Sequence, residues 1–117
     1  MPSKKNDRIE LNWKPEKIEE LMTIKSPDEA IILLHEDKKQ IIELLISNNA
    51  MTIQQLSKAT HKNPGTIKRH LNDLIEHRYV YKSGQKQSEY NVKMKFYSCV
   101  AKEFKIDIRI PKEKKMN

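Results

Sequence analysis

The sequence predicts a mainly α fold with a small β-hairpin, an α+β arrangement, on three observations. Helix-start signals recur at Ser26-Pro27, Thr52 and Asn63-Pro64. Apolar residues after each of them return at helical spacing. Past residue 78, two short runs of strand-forming residues flank a polar stretch that contains Gly84.

Taken in order, Ile9, Leu11 and Trp13 alternate as a short strand, and beyond Pro15 the residues Ile18, Leu21 and Met22 share one helical face. Residues 1–26 read as an N-terminal extension without an assigned role, with the first eight residues frayed. Ser26-Pro27-Asp28-Glu29 sets a cap, a proline at the first helical position and two acids in the first turn, so a helix is predicted from Pro27 to His35. Asp37 is placed to cap a second helix, whose Ile41, Ile42, Leu44, Leu45 and Ile46 form a broad apolar stripe that stops at Asn48-Asn49. Thr52 followed by Gln55 has capping-box spacing ahead of a short helix that turns Ile53, Leu56 and Ala59 inward. His61-Lys62-Asn63-Pro64-Gly65 breaks the pattern, Asn63 capping a new helix with Pro64 at its first position. There Ile67, Leu71, Leu74 and Ile75 bury one face and leave Lys68, Arg69, Asn72 and Asp73 on the other.

Tyr79 to Lys82 then reads as a strand, Ser83 to Ser88 as a turn, and Glu89 to Val92 as the returning strand. After Lys93 two periods overlap. Met94, Tyr97, Val100, Ala101 and Phe104 suit a helix, whereas Phe104, Ile106, Ile108 and Ile110 alternate as a strand, available to pair with residues 9–13 or with a second chain. The reading adopted is a helix over 93–103 and a strand to 110. Residues 27–93 form the folded unit on this reading, 94–110 a dimerisation element, and 111–117 a disordered tail.

A chain of 117 residues accommodates one domain. No apolar stretch nears the roughly 20 residues that span a bilayer, and Met1-Pro2-Ser3-Lys4-Lys5 does not lead into a signal-type segment, so a cytoplasmic protein without a membrane role is expected. The lone Cys99 excludes an internal disulfide and a zinc-finger type of site, and reads as a small buried apolar group. His70 and His77 are separated on one helix by roughly 10 Å along the axis, too far to share a metal ion. No glycine-rich phosphate loop or nucleophile motif accompanies the surface carboxylates, so neither an enzyme nor a cofactor is expected. The net charge of +7 is uneven: residues 1–57 carry 8 basic against 10 acidic side chains, and residues 58–95 carry 9 against 3. That concentration calls for a polyanionic partner.

A short helix, a tight turn, a capped second helix and a basic hairpin make the connectivity of a winged helix-turn-helix. In that geometry the second helix enters the major groove of double-stranded DNA. Thr66, Lys68 and Arg69 are then placed to read bases, Lys and Arg through guanine acceptors and Thr through a thymine methyl. Lys62, Asn63 and Gly65 at the helix start, with Lys82 and Lys86 in the hairpin, are placed to hold phosphates. Met51-Thr52-Ile53-Gln54-Gln55-Leu56-Ser57, Thr66-Ile67-Lys68-Arg69-His70-Leu71-Asn72-Asp73-Leu74 and Tyr79-Val80 together resemble the ArsR-type winged-helix regulators, the similarity running from Pro27 to about Val92. The resemblance implies a homodimeric transcriptional repressor. It departs from the family's metal sensors, whose cysteine motif or terminal His/Asp clusters are not found here. The same fold can instead dock a partner protein inside a transcription or replication assembly, which is the alternative reading.

Overall fold

The computed structural model describes residues 12–111. Four helices, α1 (Pro27–Leu34), α2 (Glu36–Asn48), α3 (Ile53–Thr60) and α4 (Pro64–Glu76), precede a long hairpin of β2 (Val80–Gln87) and β3 (Lys93–Cys99). A short strand on each side, β1 (Met22–Ile24) and β4 (Phe104–Ile106), completes the described order. The mainly α architecture with a β-hairpin is therefore the observed one, and among the described residues no helix is long and apolar enough to cross a membrane.

α2 is the hub, packing against α1, α3, α4 and β3. Its Ile41 and Leu45 meet Leu56 of α3 and Ile67, Leu71, Leu74 and Ile75 of α4 in a core whose members are at most 1% exposed. The 3.6-residue period places these side chains on single faces, and their burial, at about 1.5–3 kcal/mol each, drives the assembly. Thr52 accepts from the Gln55 backbone N–H at 3.1 Å while the Gln55 side chain accepts from the Thr52 N–H at 2.9 Å, so the predicted capping box starts α3. His61, at φ 62°, turns the chain out of α3, and its N–H returns to the Ser57 carbonyl. Asn63 caps α4 through a 2.8 Å bond from the Thr66 N–H, with Pro64 next as predicted.

Several expectations are corrected. α2 begins at Glu36 with His35 as its cap, accepting from the Lys38 N–H, where Asp37 was expected to cap. Asp37 is drawn instead toward Lys62 and His70. In α3 the inward position is Thr60, whose hydroxyl donates to the Leu56 carbonyl, and Ala59 is exposed. Asp73 bends away from the exposed face of α4 to pair with the nearly buried Lys38 at 3.2 Å. The returning strand of the hairpin is Lys93–Cys99, so the predicted helix over 93–103 does not form and residues 88–92 are the turn. Gly84 lies inside β2, at the register shift between Lys82 and Gly84.

The two flanks also fold differently from the prediction. Ile18, Leu21 and Met22 belong to no helix; Met22–Ile24 is a strand running parallel to Phe104–Ile106, with Glu19 and Ala101 bridged just before it. The C-terminal strand pairs with residues 22–24, where residues 9–13 or a second chain were expected, and it ends at Ile106 instead of reaching 110. Parallel partners lie far apart in sequence and carry no local signature. The strand over Ile9 and Leu11, the frayed first eight residues and the tail from 112 fall outside the described residues.

Candidate nucleic-acid interface

α3 and α4 are held at a fixed relation by groups the sequence supplies locally. Ser57 of α3 donates to the Lys62 carbonyl across the turn, His61 closes α3, and Asn63 opens α4. Behind them, Met51 pairs with Tyr97 as an antiparallel bridge, its N–H and carbonyl engaging Tyr97 at 3.1 and 2.9 Å. This rung ties the entry to α3 onto the hairpin. The wing and the two-helix unit are thereby joined by backbone hydrogen bonds as well as by the shared core.

Of the residues predicted to read bases, Lys68 and Arg69 are exposed on the second turn of α4, and Thr66 is half-buried one turn from its start. Asn63 and Gly65 are exposed at that start. A Cβ built on Gly65 would stand 3.4 Å from the Asn63 Oδ1, at ordinary contact distance beside the cap. Lys62 is half-buried, with Nζ 3.4 Å from Asp37. Its charge is shared with α2, which separates it from the freely exposed lysines. Lys82 is half-buried at the base of the wing and Lys86 is exposed toward its tip. The structure therefore gathers Thr66, Lys68 and Arg69 on one helix and Lys82 and Lys86 on the neighbouring strand.

Sequence reasoning missed Lys14 and Lys95. Lys95 stands opposite Gln85 in the hairpin, and Lys14 lines a cleft of about 320 Å³ with Asn12, Lys82, Gly84 and Gln85. The alternation Lys93-Met94-Lys95-Phe96 was the available signal for a strand there.

His70 sits on α4 behind the exposed face. Its Nε2 is 3.6 Å from Asp37 and its ring centroid 5.3 Å from that of His35. Burial, followed by Lys38 and His35, holds its pKa below the ordinary 6.5, against the opposing pull of Asp37. Among the described residues no three His, Cys, Asp or Glu side chains are grouped to hold a metal ion. Cys99 is buried, as the sequence suggests; its thiol faces the Ile42 carbonyl, and burial raises its pKa to about 12. The reactive thiolate is thereby disfavoured at neutral pH.

Two helices joined by a capped turn, backed by a hairpin and presenting a basic face, define a winged helix-turn-helix domain, the architecture of DNA-binding transcriptional regulators. Residues 35–82, from the cap of α2 into β2, match the family described as bacterial regulatory protein, arsR family. Over this segment the chain is similar to that family of helix-turn-helix regulators. No curated protein matches the chain.

Proposed function

We propose that the protein is a sequence-specific repressor that binds a pseudo-palindromic duplex site as a homodimer in the cytoplasm, with α4 in the major groove and the wing on flanking phosphates. The observation that carries this reading is the exposure of Lys68 and Arg69 on the second turn of a helix whose opposite face is fully buried. Burial of Ile67 and Leu71 fixes the helix orientation, so the neighbouring cations point outward without cost to the core. Thr66, Lys68 and Arg69 then supply base contacts, while Lys62, Asn63, Gly65, Lys82 and Lys86 hold the backbone.

A homodimer agrees with a second surface. Ile31 and Leu34 are 62% and 58% exposed on α1, and Ile106, Ile108 and Ile110 are exposed on the C-terminal segment. Burying such residues against a second copy removes apolar area from water and places two recognition helices on one duplex. Selection of bound sequences from a random duplex pool, followed by footprinting of Lys68→Ala/Arg69→Ala, tests the reading. The double variant should lose the selected footprint while keeping the wild-type melting temperature. An unchanged footprint would refute the assigned face, and a monomer on the selected duplex would refute the dimer.

A further inference from the structure

The N-terminal segment and the returning strand of the wing converge on Lys82. Lys82 stands opposite Tyr97, and Lys95 precedes Tyr97 by two residues on the same strand, so Lys82 and Lys95 share one face of the hairpin. From the other side, Asn12 brings its Oδ1 to 3.5 Å from the Lys82 ammonium, and Lys14 lines the same cleft. The cleft measures about 320 Å³, and a Cβ on Gly84 would meet nothing within 4 Å, so its floor is open backbone. Partial burial, then the charges of Lys95 and of Lys68 on α4, hold the Lys82 pKa below its ordinary 10.5. Cations of the N-terminal segment and of both wing strands are therefore brought to one place between that segment and the wing, with Lys68 of α4 close enough to act on Lys82.

We infer that this cleft is a phosphate site for the duplex backbone, formed by Lys82 and Lys95 of the wing together with Lys14 of the N-terminal segment, beside the recognition helix. A phosphodiester fits the chemistry: one anionic group with several acceptor oxygens, approached by ammonium groups that need no bidentate geometry. Like charges held together repel until a counter-charge enters, so the cluster gains most from a polyanion that lies alongside α4. The inference rests on the DNA-binding reading and extends it to residues outside the matched segment. It gives the N-terminal segment a direct role in binding.

The test uses the full chain, a labelled random-sequence duplex, and anisotropy titrations between 50 and 200 mM salt. Lys14→Gln and Lys95→Gln, both at exposed positions, should each make the slope of log affinity against log salt shallower by about 0.9 per copy bound, so the affinity lost across that fourfold salt range shrinks by about 3.5-fold. Lys102→Gln, paired with Glu20 and outside the lining of this cleft, should keep the wild-type slope. Wild-type slopes in both Lys14→Gln and Lys95→Gln, with normal salt dependence in the parent, overturn the phosphate site and leave the DNA-binding reading standing. A parent that binds duplex without salt dependence overturns both. Replacing chloride by inorganic phosphate at matched ionic strength should leave duplex affinity unchanged; displacement of duplex by millimolar phosphate, abolished in Lys14→Gln, would assign the cleft to the free anion and overturn the backbone assignment.

Discussion

Trp13 holds the N-terminal segment against α4, and its removal has a magnitude that follows from its contacts. The indole Nε1 donates to the Ile75 carbonyl at 3.0 Å, the Arg78 guanidinium lies 4.6 Å from the ring centroid, and the Tyr81 ring is 6.3 Å away. Trp13→Phe deletes the N–H donor and part of the ring while keeping an aromatic face. The Ile75 carbonyl still accepts from the Arg78 N–H at 3.0 Å, so no buried acceptor is orphaned and the loss should be about 0.5–1 kcal/mol. Trp13→Ala also removes the cation–π contact at about 0.5–1 kcal/mol, the aromatic pair at about 0.5 kcal/mol, and the apolar area of a half-buried ring. Together these come to about 3 kcal/mol, a large part of the roughly 5–15 kcal/mol that such a domain possesses. Urea unfolding followed by far-UV circular dichroism, which does not depend on the indole, measures both variants. At about 4–8 °C per kcal/mol, Trp13→Ala should also lower the melting temperature by more than 10 °C. A Trp13→Ala variant within about 0.5 kcal/mol of the parent would show that residues 12–21 are not part of the cooperative unit, and would remove the anchor on which Lys14 depends.

Thr52→Ala removes the hydroxyl that accepts from the Gln55 N–H, leaves the bond from the Thr52 N–H to the Gln55 side chain, and should cost about 0.5–2 kcal/mol in a denaturant titration, with Thr52→Ser retaining most of it. His61→Gly relieves an L-residue at φ 62° on an exposed turn, and should raise the urea midpoint by an amount worth up to about 1 kcal/mol; a lowered midpoint would show that the imidazole itself stabilises the turn. The depressed pKa of His70 means that the folded state binds its proton less readily than the unfolded chain, so this contribution is complete above pH 6.5 and is lost as pH falls from there toward the folded-state pKa. Melting temperatures across that range should fall less steeply for His70→Gln than for the parent, and parallel curves would exclude His70 as the source.

The helix-turn-helix was legible because its determinants are local. Thr52 with Gln55, and Asn63 with Pro64, name helix starts within four residues, and Ile67, Leu71 and Leu74 repeat at the helical period over a single segment. The hairpin was visible but shortened, because the residues at its base are buried on both faces. Tyr97, Ser98, Cys99 and Val100 are consecutive and all buried, which erases the alternation that marks a half-exposed strand. The same run, joined to Met94 and Phe104, then mimics a helical spacing. β1 was hidden for another reason: its three residues become a strand only by pairing with residues 104–106, more than eighty positions away.

That division between local and distant determinants follows the site itself. Thr66, Lys68 and Arg69 could be named because α4 alone decides which way they face, and the core beneath it needs only the helical period. Lys14 and Lys95 could not, because their proximity to Lys82 depends on the hairpin register and on Trp13 reaching back to Ile75. The proposed base-reading positions thus belong to a segment of 13 residues, whereas the cationic cleft is assembled by the tertiary fold. A change in the wing register, or loss of the Trp13 anchor, should therefore weaken binding to all duplexes alike and leave the choice among sequences with α4.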